Sequence, residues 1–240
     1  MKARLQTLLF DFGGTLDANG VAWKERFYAF YRAEGLEMTA DAFQSSFFAA
    51  DDSLVGNLPP ATDLTGTVHA LVANLEVELA RRSPGPGGPC MARGTRSARV
   101  ASRFLSEASV AFARNRPILK ELSERYRLGI VSNFYGNLDA VCQGVGLASL
   151  FSVLVDSYLV GAEKPDPAIF RVALDTLGAA PETTVHVGDS LRRDREGALR
   201  AGMKFIWLMP QGVWAAERER PKPPVEHVIA ELGDLMRILK

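Results

Sequence analysis

Four short stretches hold the polar residues with which this chain could do chemistry, and each follows an apolar run. The first is Phe10-Asp11-Phe12-Gly13-Gly14-Thr15-Leu16. A carboxylate just past a buried strand, followed by two glycines, puts charge in a turn with exposed backbone N–H groups, and such a turn can approach an oxyanion closely. An aspartate there could equally do no more than shape a strand-end turn. The second is Ser132-Asn133 after Gly129-Ile130-Val131, a hydroxyl and an amide able to hold a phosphate oxygen or to make an ordinary turn. The third is Lys164, set before Pro165-Asp166-Pro167: a point charge for a phosphate or carboxylate, or a solvated surface lysine. The fourth is Val185-His186-Val187-Gly188-Asp189-Ser190, with Asp194 five residues after Asp189. Two carboxylates flanking a helix start, beside a third from another strand, form a hard-oxygen cluster suited to Mg²⁺. Without a cation that much negative charge in one cleft is costly. His186 lies inside the apolar run and reads as a packed core histidine.

The elements that must position these residues alternate. Leu5 to Phe12 reads as a buried strand broken by the glycines. Helical spacing follows over Trp23–Glu34, 39–50, 63–82 and Arg99–Arg114, with aromatics that read as core. Ser83–Pro89 holds three prolines and three glycines in seven residues and is expected to be an exposed, mobile loop. From Pro117, expected to open a helix in its first turn, strands and helices alternate to the C-terminus. The pattern predicts an α/β fold: a Rossmann-like parallel sheet covered on both faces, interrupted by an all-helical insert. The core is assigned to 1–16 and 112–240 and the helical cap to 17–111. Ligands of such sheets bind beyond the carboxyl ends of the strands, where all four polar stretches fall.

Bulk properties narrow the setting. The 240 residues are 47% hydrophobic and 23% charged, a globular composition. Lys+Arg and Asp+Glu both total 28, so no global field favours nucleic acid or an anionic membrane. Cys90 and Cys142 make no disulfide framework. The early apolar run Leu8-Leu9-Phe10 is too short for a signal peptide and no stretch approaches a membrane span, so a reducing cytoplasm is the expected address. Arg93, Arg96, Arg99 and Arg103 recur at helical steps, read as a solvated basic face or a patch attracting an acidic substrate. A monomer or homodimer is expected.

In this order at successive strand ends, the residues resemble the haloacid dehalogenase superfamily. Asp11 with Thr15 matches its first motif, Ser132 the second, Lys164 the third, and Gly188-Asp189 with Asp194 the fourth. The helical insert resembles that superfamily's mobile cap, and the likeness runs from Leu5 to the last helix. It implies a hydrolase, in the phosphatase form acting on a small phosphorylated metabolite through an aspartyl-phosphate on Asp11. It implies Mg²⁺ held by Asp11, the main-chain carbonyl of Gly13 and Asp189. Ser132 and Lys164 would then hold phosphate oxygens, Gly14, Thr15 and Asn133 would add substrate contacts, and Asp194 would act from behind the metal and Lys164.

One residue departs from the pattern. The family's phosphatases carry a second aspartate two positions after the nucleophile to protonate the leaving group and activate water; here it is Gly13. Such a group contributes about 10²–10⁴-fold. Three readings follow: a phosphatase whose proton comes from the substrate, the cap or water; a catalytically impaired phosphate- or partner-binding protein; or a C–P or C–halogen hydrolase, with Lys24 as a Schiff-base lysine in the C–P case. The first predicts that good leaving groups are favoured, and that Gly13→Asp raises turnover by ~10²-fold.

Overall fold

Thr7–Phe10 (β1) is buried along its whole length because it sits mid-sheet with a neighbour on each side. It pairs in parallel with β2 (Arg127–Ser132), Phe10 opposite Ile130, and with β4 (Thr184–Gly188), Phe10 opposite Val187. β3 (Val153–Asp156) lies outside β2, and β5 (Lys204–Leu208) and β6 (His227–Ile229) extend the sheet beyond β4. The six-stranded order is β3-β2-β1-β4-β5-β6, all parallel. The computed structural model describes residues 4–82, 90–210 and 225–239, and for 90–94 the backbone alone. The Pro/Gly-rich segment 83–89 and most of the stretch from Pro210 to Pro224 lie outside the described residues.

Side-chain alternation in β1 divides the core. Leu8 and Phe10 pack on one face in a cluster that reaches Phe112, Leu119, Leu138 and Leu235. Leu9 points the other way, into Ile169, Phe170, Leu174 and Ala198. A sheet apolar on both faces has to be covered on both, which is why the strands read as near-continuous hydrophobic runs. The helices after the insert are α5 (Leu138–Gly144), α6 (Ser157–Val160), α7 (Pro167–Leu177), α8 (Glu196–Arg200) and α9 (Leu235–Ile238). α7 has the ends its sequence predicts. Asp166 accepts from Ala168 N at 2.8 Å, Pro167 takes the first turn, and Gly178 closes it with φ 55°.

Between β1 and β2 stand four helices: α1 (Trp23–Ala33), α2 (Ala40–Asp52), α3 (Leu64–Arg82) and α4 (Cys90–Ser123). Pro117 does not open a helix. It lies inside the 34-residue α4. The buried stripe Val100, Phe104, Ala108, Phe112, Leu119, Leu122 continues past it, and burial of that stripe offsets the ~3 kcal/mol that an interior proline costs. The arginines of α4 are paired within the insert: Arg96 with Glu76 and Arg99 with Glu34, both at 2.6 Å, and Arg103 with Glu107 at 3.3 Å. That favours the structural reading of this face; the side chain of Arg93 lies outside the described residues. Among the described residues no helix is long and apolar enough to cross a membrane.

Candidate active site

The chain turns from one side of the sheet to the other at β1 and β4, and the cleft outside that switch point is where the polar strand ends meet. Asp11 N donates to Val187 O at 2.9 Å, which fixes the nucleophile candidate directly beyond β1. Its Oδ1 accepts from Ser132 Oγ at 3.0 Å and from Lys164 Nζ at 2.6 Å. Lys164 Nζ also donates to Asp194 Oδ1 at 2.7 Å, so one buried ammonium bridges two carboxylates from different strand ends. Asp11, Ser132, Lys164, Asp189 and Asp194 all line one cavity of about 400 Å³, with walls contributed by α1 and α2 of the helical insert.

Charge in this cleft is unevenly shared. Burial raises the Asp11 carboxyl above its usual range and Asp194 adds to the rise, while Lys164 opposes it. Asp189 is pushed well up, first by burial and then by Asp11 and Asp194. Asp194 is the exception. Burial opposes its ionisation, but Lys164 and His186 outweigh burial and hold it below the carboxylate range. Lys164 is shifted up, because Asp11 and Asp194 outweigh its own burial.

Asp11, Asp189 and Asp194 each offer an oxygen, all within 4.8 Å of one another. Hydrogen bonding separates their roles. Asp194 spends Oδ1 on Lys164 and on His186 Nε2 (3.0 Å) and Oδ2 on Ser190 N (3.0 Å). It is therefore the anchor of Lys164, and Asp11 and Asp189 are the carboxylates left to face a cation. This donor set fits a hard divalent ion. Gly14 helps to make the room: it has φ 87°, and a Cβ there would stand 2.8 Å from Asp189 Oδ2.

Three residues expected to contact substrate make hydrogen bonds within the protein. Gly14 N, expected to face an oxyanion, donates to Asp17 Oδ1 at 2.7 Å. Thr15 Oγ1 donates to Asp189 Oδ1 at 3.3 Å and is fully buried. Asn133 receives Lys164 N on Oδ1 at 2.7 Å and gives Nδ2 to Lys164 O at 3.1 Å, clamping the lysine loop. His186 is the packed core histidine that its place in the apolar run predicts, buried between Phe170 and Phe205, and its Nε2 also reaches Asp194.

Sequence reasoning missed Asp17 altogether. Fully buried, it accepts from Gly14 N, Trp23 Nε1 and Arg26 Nη1, each at 2.7 Å. Burial drives its carboxyl up, while Arg26, Gly14 and Trp23 pull it down. Arg26 in turn lies 3.9 Å over the Phe104 ring and donates to Phe104 O at 3.3 Å. The network ties the loop after β1 to α1 and α4. It also sets Trp23 against Gly13: a Cβ on residue 13 would meet Trp23 Nε1 at 3.1 Å.

A family model described as haloacid dehalogenase-like hydrolase matches residues 5–202, most of the chain. The chain belongs to the haloacid dehalogenase-like hydrolases. Among curated relatives of this hydrolase, "Haloacid dehalogenase-like hydrolase domain-containing protein 3" of Bos taurus is 36% identical over 114 residues, 47% of this chain and 45% of that protein. "Phosphoserine phosphatase" of Thermus thermophilus is 34% identical over 146 residues, 57% of this chain and 56% of that one. The hydrolase thus spans about half the length of the curated relatives it matches. A solved putative HAD-hydrolase of Bacillus subtilis shares the fold, with a TM-score of 0.57 at 19% identity over 99% of this chain and 100% of that one.

Proposed function

We propose that this hydrolase is a Mg²⁺-dependent phosphatase acting on a small phosphorylated metabolite, with residues 17–111 as a helical cap over the site. The observation that carries the reading is the clamp on Asp11. Lys164 and Ser132 hold Oδ1 at 2.6 and 3.0 Å, which leaves the second carboxylate oxygen for attack on phosphorus. The same Lys164 and Ser132 are positioned to receive phosphate oxygens as charge redistributes. Asp11, Asp189 and the main-chain carbonyl of Gly13 would hold the cation, which supplies neutralisation of the phosphate charge and of the repulsion between the carboxylates. Attack by Asp11 breaks the bond to the leaving oxygen and gives an aspartyl-phosphate, which water then hydrolyses. A phosphatase among the relatives supports this chemistry. Lys24, considered for a Schiff base, spends its amine on Gln44 Oε1 at 2.6 Å and Glu25 Oε1 at 3.1 Å.

A phosphate-release screen over phosphorylated metabolites, with and without Mg²⁺, tests the reading; release that ignores Mg²⁺ removes the metal from it. Isothermal titration should show Mg²⁺ binding to the wild type and none to Asp189→Asn, since that variant loses one of the two carboxylates that would hold the ion. Undiminished binding would move the metal elsewhere.

The expected ~10²-fold gain from Gly13→Asp needs correction. Trp23 fills the space into which that side chain would grow, and it is fixed by Asp17 and packed on Phe104 at a centroid distance of 5.0 Å. Overpacking of this kind costs about 1–3 kcal/mol. Gly13→Asp alone should therefore lower the melting temperature without raising turnover of an alkyl phosphate. A gain from the single variant would show that the indole yields.

A further inference from the structure

A phosphatase with glycine at residue 13 still has to give its leaving oxygen a proton. Among the described residues, beyond the Asp11, Asp189 and Asp194 cluster, two acids line the cavity, Glu25 and Asp51. Glu25 is exposed and paired with Lys24 at 3.1 Å. Asp51, at the end of α2, is only partly exposed, and Tyr135 donates its hydroxyl to Oδ1 at 2.5 Å. Tyr135 belongs to the loop after β2, three residues beyond Ser132. Asp156 braces that loop by accepting from Gly136 N at 2.9 Å and Leu138 N at 3.2 Å. Tyr135 also borders the indole that fills the space beside Gly13, with ring centroids 6.5 Å apart. Gly13, Trp23, Tyr135 and Asp51 thus succeed one another along one wall of the cleft, and the carboxyl ends the row.

We propose that the Asp51 carboxyl, positioned by the Tyr135 hydroxyl, is the general acid and base of this site, delivered from the cap in place of a side chain at residue 13. The proposal rests on the phosphatase reading. In the first step an Asp11 oxygen bonds to phosphorus, the bond from phosphorus to the leaving oxygen breaks, and that oxygen takes the Asp51 proton and leaves as an alcohol. In the second a water oxygen bonds to phosphorus and gives its proton to the Asp51 carboxylate. The acyl-phosphate bond breaks and its electron pair returns to Asp11, which restores both groups.

The surroundings suit a proton that must come and go. Burial pushes Asp51 up to about 6; the Tyr135 hydrogen bond and the Arg193 guanidinium pull the other way, and Asp52 adds to the rise. Tyr135 is held well above its usual range by burial and by Asp51, so it stays a hydrogen-bond donor and the carboxyl is the carrier. Tyr135 holds one oxygen of Asp51, and Asp51 itself lines the cavity.

The test uses the full chain with Mg²⁺, an alkyl phosphate and p-nitrophenyl phosphate. An alkoxide needs protonation and nitrophenolate needs little, so in a single turnover Asp51→Asn should slow the first release of the alcohol about 10²-fold or more and the burst of nitrophenol less than about tenfold. Acid-quenched Asp51→Asn turning over p-nitrophenyl phosphate should carry phosphate on Asp11, because its water lacks a base. The wild-type to Asp51→Asn ratio of kcat on the alkyl ester should fall as pH rises through about 6, where the acid form disappears. Substrate ionisation is common to both proteins and cancels in that ratio. Tyr135→Phe removes a hydrogen bond that lowers Asp51, so it should move the limb to higher pH; this variant carries the test if Asp51→Asn does not fold. Equal losses in that first release on both esters, or a limb that neither substitution moves, overturns the assignment while leaving a working phosphatase. A wild type that releases phosphate from neither ester overturns the phosphatase reading itself.

Discussion

Asp11→Asn should abolish hydrolysis, by about 10⁴-fold or more, while the protein melts at or above the wild-type temperature. The two halves of this result have one cause. The Asp11 carboxylate is buried, and Asp194 opposes its ionisation while Lys164 favours it. Asparagine keeps the shape and an oxygen that can accept from Ser132 and Lys164, and it removes a charge from a crowded cleft. Lys164 keeps Asp194 as a partner at 2.7 Å, so no buried ammonium is stranded. What is lost is the nucleophile, and no positioned donor can replace a missing nucleophile. Phosphate release by the purified variant and a thermal melt check the pair. Turnover near wild type would put the attacking group elsewhere.

Arg26→Met should cost about 3–5 kcal/mol, the range for breaking a buried pair by removing one partner. The two side chains are nearly or fully buried, at 6% and 0% exposure, so Asp17 is left with no water to replace the guanidinium. In a chain of this size such a loss lowers the melting temperature by roughly 6–20 °C. Methionine preserves much of the packing on Phe104, so the loss reports the stranded charge more than a cavity. Asp17→Asn in the same chain should return part of the stability by removing that charge. A melting temperature unchanged by Arg26→Met would mean that Gly14 and Trp23 alone suffice to hold Asp17.

Both experiments probe the loop after β1, one through a residue that the sequence exposed and one through a residue that it hid. Asp11, Ser132 and Asp189 were legible because each follows an apolar run at the carboxyl end of a strand, and a parallel sheet gathers such ends on one edge, whereas Lys164 stands in the loop between α6 and α7. The strand–helix alternation is likewise a local property, which period and punctuation in the chain predict. Pro117 was misread for the same reason. A local signal for a helix start was overridden by a buried stripe whose partners are distant in sequence.

Roles that depend on who meets whom had no such signature. That Asn133 clamps Lys164 and that Asp194 anchors its ammonium follows from hydrogen bonds spanning 31 and 30 residues. Asp17 and Arg26 look like ordinary polar residues until the tertiary packing of α1 and α4 excludes water from both. Gly13 shows the division most clearly. Its sequence determined that no acid stands two residues after Asp11. Only the folded chain decided that Trp23 occupies the vacant space and that Asp51 and Tyr135 meet along the same wall, because these contacts join segments that nothing but three-dimensional packing brings together.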